Sequence, residues 1–209
     1  MLFRSGDRIA VTVPHELVKV GAGLVLTSPY TPMLFMGEEW GADTPWQYFT
    51  DHIEPWLATA VAEGRKAEFS GHGWGPAEVP DPQDKATFLR SKLDWKQRER
   101  EPYLGILAWY RELIELRRAR AELTDPRLDR VQADFDEDER WLLVRRGRLR
   151  IAANLGPATV RLPLGQRGIG LLAASSPEVA ITQDTVSMPP ASFAVIETRA
   201  VIPADNPGA

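Results

Sequence analysis

TPMLFMGEEWG, residues Thr31–Gly41, is the stretch of this sequence that decides the fold. Its centre, Met33–Met36, is a continuous apolar run without polar alternation, and such runs are typical of a strand buried on both faces, as in a parallel sheet. The run leads directly into a glycine and two acidic residues, Glu38 and Glu39. The segment therefore predicts a buried strand that ends in a polar loop.

The chain before this segment has the pattern of a helix. Pro14 suits the first turn of a helix, and apolar residues recur at helical spacing as far as Leu26. The helix is expected to end at Ser28, because the residue before a proline is pushed out of the helical region. The predicted order is helix, buried strand, polar loop.

The chain after the segment, residues 42–100, is rich in loops and prolines. A short helix is predicted from Glu54 to Gly64, and the Gly-rich run Gly71–Pro76 is predicted to be irregular. Loops of this length within a compact domain are usually functional.

Two further patterns follow. An apolar stripe at helical spacing predicts a helix over Leu104–Arg120. Short runs of period two, separated by glycine and proline, then predict an antiparallel sandwich. The strands of this sandwich are expected near 140–144, 149–155, 160–164, 169–173, 185–188 and 192–197. An acidic cluster, Asp134–Glu139, is expected in a solvated hairpin turn.

Composition excludes several classes of protein. The 209 residues include no cysteine, so a disulfide framework and a thiolate zinc site are impossible. The formal net charge of −4 argues against a nucleic-acid partner. The three histidines are scattered, so we expect no metal and no cofactor. We find no apolar run long enough to span a bilayer, and we expect a cytoplasmic protein that does not bind membranes.

The order of several motifs resembles a known family. The segment from Ser28 to Gly41 is similar to the last barrel strand of α-amylase-type glycoside hydrolases. The next motif, PWQYFTDH at Pro45–His52, is similar to malto-oligosyltrehalose trehalohydrolases and to the related glycogen branching enzymes. Five later motifs agree with the trehalohydrolase family: Gly64–Phe69, Pro80–Asp84, Ser91–Trp95, Tyr110–Arg118 and Asn154–Pro157.

The resemblance implies an α+β fold made of two parts. Residues 1–123 would form the C-terminal end of a (β/α)8 catalytic barrel, with its last helix and strand, the substrate-side loops and a linking helix. Residues 124–200 would form an all-β antiparallel C-terminal sandwich, and residues 201–209 a frayed tail.

The resemblance also implies a reaction. The family releases trehalose from maltooligosyl-trehalose by cleaving the adjacent α-1,4-glucosidic bond with retention. Retention requires two carboxyl groups about 5–5.5 Å apart. The family's three catalytic acids lie on earlier barrel strands, and the third lies just upstream of a segment like Gly6–Ala10. We therefore expect no catalytic residue in this chain and no activity of the chain alone. An upstream barrel fragment is a candidate partner.

Six residues after the predicted strand are candidates for contact with the sugar. They are Glu38, Glu39, Trp40, Phe49, Asp51 and His52. If Glu38 and Glu39 were still in strand geometry, adjacent side chains would point to opposite faces and could not flank one bond. Trp46 and Tyr48 have the character to stack on a pyranose or to anchor the loop, and we favour anchoring.

Two alternatives stay open at this point. The chain is also compatible with a stand-alone, non-catalytic carbohydrate-binding or scaffolding module, and with a part of a glycogen branching enzyme. The motif PWQYFTDH and the long loop with Gly73, Trp74 and Gly75 favour the hydrolase over the transferase. An isolated strand at Met33–Met36 would expose its apolar faces, so residues 1 to about 100 are expected to be unstable alone.

Overall fold

The computed structural model describes residues 6–70 and 79–199. It divides into two compact units. The first unit comprises residues 1–14 and 35–105, and the second comprises residues 15–34 and 106–209. The predicted loop Gly71–Pro76 and the predicted tail 201–209 lie outside the described residues.

The first unit consists of short helices joined by ordered loops. Its elements are α1 (Ile9–Thr12), α3 (Pro55–Ser70), α4 (Lys85–Ser91) and two 3-10 turns, Glu38–Trp40 and Gln97–Glu99. Helix α4 begins at Lys85 because the side chain of Asp84 accepts a hydrogen bond from the Ala86 backbone, which satisfies one free N–H of the first turn. Helix α3 is longer than the predicted Glu54–Gly64, because Gly64 does not end it.

The second unit contains two long helices and all the strands. The helices are α2 (His15–Thr27), α5 (Tyr103–Ala119), whose first turn belongs to the first unit, and the short α6 (Ala121–Thr124). The strands are β1 (Val131–Asp136), β2 (Trp141–Arg146), β3 (Leu149–Asn154), β4 (Val160–Pro163), β5 (Gly168–Ala174), β6 (Ala180–Thr182), β7 (Thr185–Met188) and β8 (Ser192–Thr198).

The strands form the predicted antiparallel sandwich. One sheet has the order β1-β2-β3-β8-β5 and the other β4-β7-β6. Alternate residues of β4 are buried, and they pack with residues of β2, β3, β7 and β8 between the sheets. This core consists of Leu143, Ala152, Val160, Leu162, Leu164, Val179, Val186, Met188, Ala194 and Ile196. The α+β fold class is confirmed. The acidic cluster lies in the β1–β2 hairpin, but only its second half forms the turn, because Asp134–Asp136 belong to β1.

The larger sheet is covered on its second face by helices. Helix α2 contacts β3 and β8, and Gly23 lets the helix come close to Phe193. The Trp109 ring of α5 meets the Phe193 ring edge to face, with centroids 6.1 Å apart. The Trp109 indole N–H donates to the Lys19 carbonyl at 2.9 Å. Both predicted helices are confirmed, and together they bury this face of the sheet.

Strand β3 is buried on both faces although apolar and polar residues alternate in part of its sequence. Arg150 and Asn154 are buried with the other four residues of the strand. The two polar side chains are accommodated by hydrogen bonds. Arg150 donates to the carbonyls of Gly147, Leu149 and Leu164. A central strand between a second sheet and a helix has no solvent-facing side.

The predicted strand at Met33–Met36 is wrong for this structure. The segment has no regular secondary structure, and Met33 is 89% exposed. A strand needs a neighbour that accepts and donates its backbone hydrogen bonds. Here side chains take that role, since the Phe35 N–H donates to Glu38 and the Met36 carbonyl accepts from Arg8.

Two arginines bind the C-terminal end of α2, where helical carbonyls lack partners. Arg117 of α5 donates to the carbonyls of Leu26, Ser28 and Tyr30 at 2.8–3.0 Å. Arg146 of β2 donates to the Thr27 carbonyl at 2.6 Å. Burial lowers the pKa of both guanidinium groups. The chain leaving α2 toward Thr31–Gly41 is therefore held by charged hydrogen bonds.

No helix in residues 6–70 or 79–199 has both the length and the apolarity needed to cross a bilayer.

Candidate functional site

The candidate site in the first unit begins with a tight turn at Phe35–Ala42. Gly37 and Gly41 have positive φ angles of 85° and 67° and flank the 3-10 turn Glu38–Trp40. The Ala42 N–H donates to the Gly37 carbonyl at 2.8 Å. Because a 3-10 turn places successive residues about a third of a rotation apart, Glu38 and Glu39 do not have the opposed directions of strand neighbours.

A buried arginine holds this turn. Arg8 is 7% exposed, and its Nη1 donates to the Met36 carbonyl at 2.8 Å while its Nε donates to the Thr44 carbonyl. The guanidinium also lies over the Phe35 ring, 5.4 Å from the centroid. Burial lowers the pKa of Arg8, and the negative charges of Glu39 and Glu38 oppose that shift. The sequence gives no local pattern that marks Arg8 as part of the site, because its partners lie 28 and 36 positions away.

The loop from Thr44 to His52, here called the TDH loop, is ordered by a second segment, residues 81–91. The Gln47 N–H donates to the Ser91 hydroxyl at 3.0 Å, and the Thr50 N–H donates to the Pro82 carbonyl at 2.8 Å. Gln83 binds both backbone groups of His52, with its Oε1 accepting from the N–H and its Nε2 donating to the carbonyl. The TDH loop is therefore fixed along its length by hydrogen bonds.

A row of four aromatic rings includes two residues of the TDH loop, Trp46 and Phe49. Phe35, Trp46, Phe49 and Phe88 meet edge to face in that order, with centroid distances of 5.5, 5.4 and 5.2 Å. Such pairs contribute about 0.5–1.5 kcal/mol each beyond the area they bury. The structure supports the prediction that Trp46 anchors the loop.

A carboxylate holds the following segment in place. Asp43 accepts hydrogen bonds from the Gln97 amide and from the Tyr103 hydroxyl, the latter at 2.8 Å. Burial alone would raise the pKa of Asp43, but the hydrogen bonds from Gln97 and Tyr103 outweigh it and lower the pKa. The same hydrogen bond raises the pKa of Tyr103. This network is structural, because both oxygens of the carboxylate are already occupied.

The six predicted site residues have different environments. Trp40 is 1% exposed and packs against Trp95, and Phe49 lies between Trp46 and Phe88. One Glu38 oxygen accepts from the Phe35 N–H at 3.0 Å. Glu39 and His52 are partly exposed, and Asp51 is exposed. Their contact with sugar remains a prediction. Within residues 6–70 and 79–199, no group of three or more acidic or histidine side chains has the arrangement of a metal site.

The family comparison matches the sandwich to a model described as "Domain of unknown function (DUF3459)", over residues 126–195. Among solved structures, a Salmonella typhimurium protein assigned as an alpha amylase is 35% identical and superposes with a TM-score of 0.76. The match covers 93% of this chain and 32% of that one. Isomaltulose synthase from Klebsiella sp. LX3 superposes with a TM-score of 0.60 over 90% of this chain and 39% of its own. Its identity is only 17%, so this similarity is evidence for the fold and not for function. The chain has the fold of α-amylase-type glycoside hydrolases.

Curated relatives narrow this class. Malto-oligosyltrehalose trehalohydrolase from Rhizobium sp. (strain M-11) is 45% identical over 192 residues, which cover 92% of this chain and 32% of the relative. The enzyme of the same name from Arthrobacter ramosus is 51% identical over 158 residues, or 76% of this chain and 27% of the relative. The chain matches the C-terminal part of malto-oligosyltrehalose trehalohydrolases and spans about a third of the length of these relatives.

Proposed function

We propose that this chain supplies the C-terminal portion of a malto-oligosyltrehalose trehalohydrolase. In the assembled protein, the enzyme cleaves the α-1,4-glucosidic bond next to a terminal trehalose unit and releases trehalose from maltooligosyl-trehalose. The observation that carries this proposal is 45% identity to a trehalohydrolase over 92% of the chain. That identity covers the Glu38–Trp40 turn and the TDH loop as well as the sandwich.

The contribution of this chain is one side of the sugar-binding cleft. Active sites of (β/α)8 enzymes lie on the loops that follow the carboxyl ends of the strands. Glu38, Glu39, Asp51 and His52 would contact sugar hydroxyls there, while Trp40 and Phe49 would support the loops from below. The fixed backbone of the TDH loop supports this role, because a pre-ordered loop loses little entropy on binding.

The reacting carboxylates would come from barrel strands outside the described residues. A retaining mechanism needs a nucleophile and a general acid about 5–5.5 Å apart, and the acid needs a raised pKa. Partial burial and the charge of Glu115 raise the pKa of Glu112, but Glu112 lies on the exposed side of α5 rather than in the loops. We therefore propose that this chain alone is inactive and acts with an upstream barrel segment.

Product analysis distinguishes this proposal from the alternatives. The chain would be combined with the barrel segment of a related trehalohydrolase and incubated with maltooligosyl-trehalose. Trehalose and a shortened maltooligosaccharide are the expected products. New α-1,6 branches would indicate a branching enzyme instead. Sugar binding without any product would favour a stand-alone binding module.

A further inference from the structure

We infer that Tyr48 stacks on one glucosyl ring of the α-glucan and that Asp51 binds hydroxyls of the same ligand. Arg65 positions the Tyr48 ring by packing against it. This inference rests on the proposed function and names a binding residue for it. Tyr48 is not among the six residues that the sequence singles out for sugar contact, since its pattern favours an anchoring role. In the structure, Tyr48 and its neighbour Trp46 have different contacts: Trp46 packs against two phenylalanine rings and Tyr48 against an arginine.

The side chains of the TDH loop make different contacts. Trp46 and Phe49 belong to the aromatic row. Gln47 and Thr50 bond to residues 83–91. Tyr48 takes no part in these contacts, and 46% of its surface is exposed. Trp46, at 37%, is exposed to a similar extent, so Tyr48 differs from the row by its contacts and not by its exposure.

Asp51 follows Tyr48 by three residues and is also exposed. The contacts of the loop repeat every three residues, since Trp46 pairs with Phe49 while Gln47 and Thr50 both bond to residues 83–91. In a chain with that repeat, residues three apart lie on the same side, about 9 Å from each other. That distance suits neighbouring parts of one oligosaccharide. Within the described part of the chain, the Asp51 carboxylate has no hydrogen-bond or ion-pair partner, so all its acceptor sites are open to a ligand.

The Tyr48 ring packs against a charged side chain. The Arg65 guanidinium of α3 lies over this ring, 4.8 Å from the centroid, and also over the Phe69 ring at 4.7 Å. Arg65 is itself held by Glu68 at 3.8 Å. The arginine therefore restricts the rotation of the tyrosine, whose surface stays 46% exposed.

The Tyr48 ring and the Asp51 carboxylate together fit a neutral sugar. A pyranose presents an apolar C–H face to an aromatic ring, and its hydroxyls donate to a carboxylate. The negative charge of Asp51 disfavours an anionic ligand at the same place, because like charges repel at short range. A neutral α-1,4-linked glucan therefore suits this surface better than a phosphate or a carboxylate ligand does.

The test measures binding of maltotetraose to the chain combined with the barrel segment of a related trehalohydrolase, by saturation-transfer NMR and titration calorimetry. Tyr48→Ala should weaken binding roughly two- to twelve-fold, as expected for the loss of one aromatic contact. Tyr48→Phe should stay within about twofold of the original protein, because the ring and its support by Arg65 remain. Arg65→Met should give an intermediate loss, since the ring keeps its chemistry and loses its support.

Phe135→Ala is the matched control, because Phe135 is an exposed aromatic residue on β1 of the sandwich, 63% exposed against 46% for Tyr48. It should leave binding unchanged. Far-UV circular dichroism confirms that each variant is folded. Equal affinity of Tyr48→Ala and the original protein would overturn the inference, as would the absence of saturable binding by the original protein.

Kinetics of the assembled enzyme separate this inference from the proposed function. Tyr48→Ala should raise KM by a similar factor with little change in kcat, because the contact is made equally in the ground state and the transition state. Release of trehalose with an unchanged KM would refute only the role of Tyr48. Tyr48-dependent glucan binding without any hydrolysis would refute only the proposed activity.

Discussion

Asn154 offers a stringent test of how the sandwich is stabilised. It is fully buried at the end of β3, and its Nδ2 donates to the carbonyls of Ala158, Met188 and Pro189 at 2.7–3.0 Å. Its Oδ1 accepts from the Gly156 N–H at 2.9 Å. The two N–H groups of this amide are shared among three carbonyls, so one side chain bonds to four backbone groups from two connections of the sandwich.

Asn154→Asp keeps the shape of the side chain and removes the donors. A protonated carboxyl can donate to one carbonyl and leaves the other two without their partner. Each unsatisfied buried group costs about 1–3 kcal/mol, so we expect a loss of about 3–5 kcal/mol. The new carboxyl should have a raised pKa in the folded state because it is buried beside carbonyl oxygens. The destabilisation should therefore grow as the pH rises from about 4 to 7.

Urea unfolding followed by circular dichroism and tryptophan fluorescence measures this loss. Gln132→Glu is the matched control, because it makes the same amide-to-carboxyl change on an exposed residue of β1. The control should change the free energy of unfolding by less than about 0.5 kcal/mol. If Asn154→Asp were no more destabilising than the control, the buried hydrogen-bond network would not have the role assigned to it.

Three further predictions concern packing and charge. Gly23→Ala would place a Cβ 2.6 Å from the Phe193 ring, so it should lower the stability of the second unit by about 1–2 kcal/mol in thermal unfolding, despite the better helix propensity of alanine. Arg146→Met should cost about 2–4 kcal/mol in urea unfolding, because it leaves two buried carbonyls without a donor; an unchanged midpoint would contradict the capping role. Tyr103→Phe should destabilise the first unit by about 1 kcal/mol at pH 7 and by less near pH 3, since the lowered pKa of Asp43 contributes stability above its unfolded pKa that is lost as the pH falls.

The sequence predicts the sandwich and the long helices well, because their apolar patterns are local. Helices α2 and α5 are found within a residue or two of the predicted ends. Strands β1 and β6 were not predicted. Strand β1 does alternate, with Val131, Ala133 and Phe135 between polar residues, but its acidic residues favour a turn and most of β1 is exposed. Strand β6 has three residues and is too short for a period to be visible.

The candidate site is less predictable because its geometry depends on distant residues. Arg8 reaches Met36 and Thr44 from 28 and 36 positions away in the sequence. The pattern at Met33–Met36 predicts a buried strand, yet burial depends on neighbouring strands that the described residues do not provide. The burial of Trp40 and the different environments of Trp46 and Tyr48 likewise follow from packing and not from residue type.

The most direct test of the whole account is an assay for trehalose release from maltooligosyl-trehalose, performed on this chain alone and on the chain with an added trehalohydrolase barrel segment. We expect no trehalose from the chain alone and measurable trehalose from the combination. Trehalose release by the chain alone would contradict the account, because its own residues would then have to supply both reacting carboxylates.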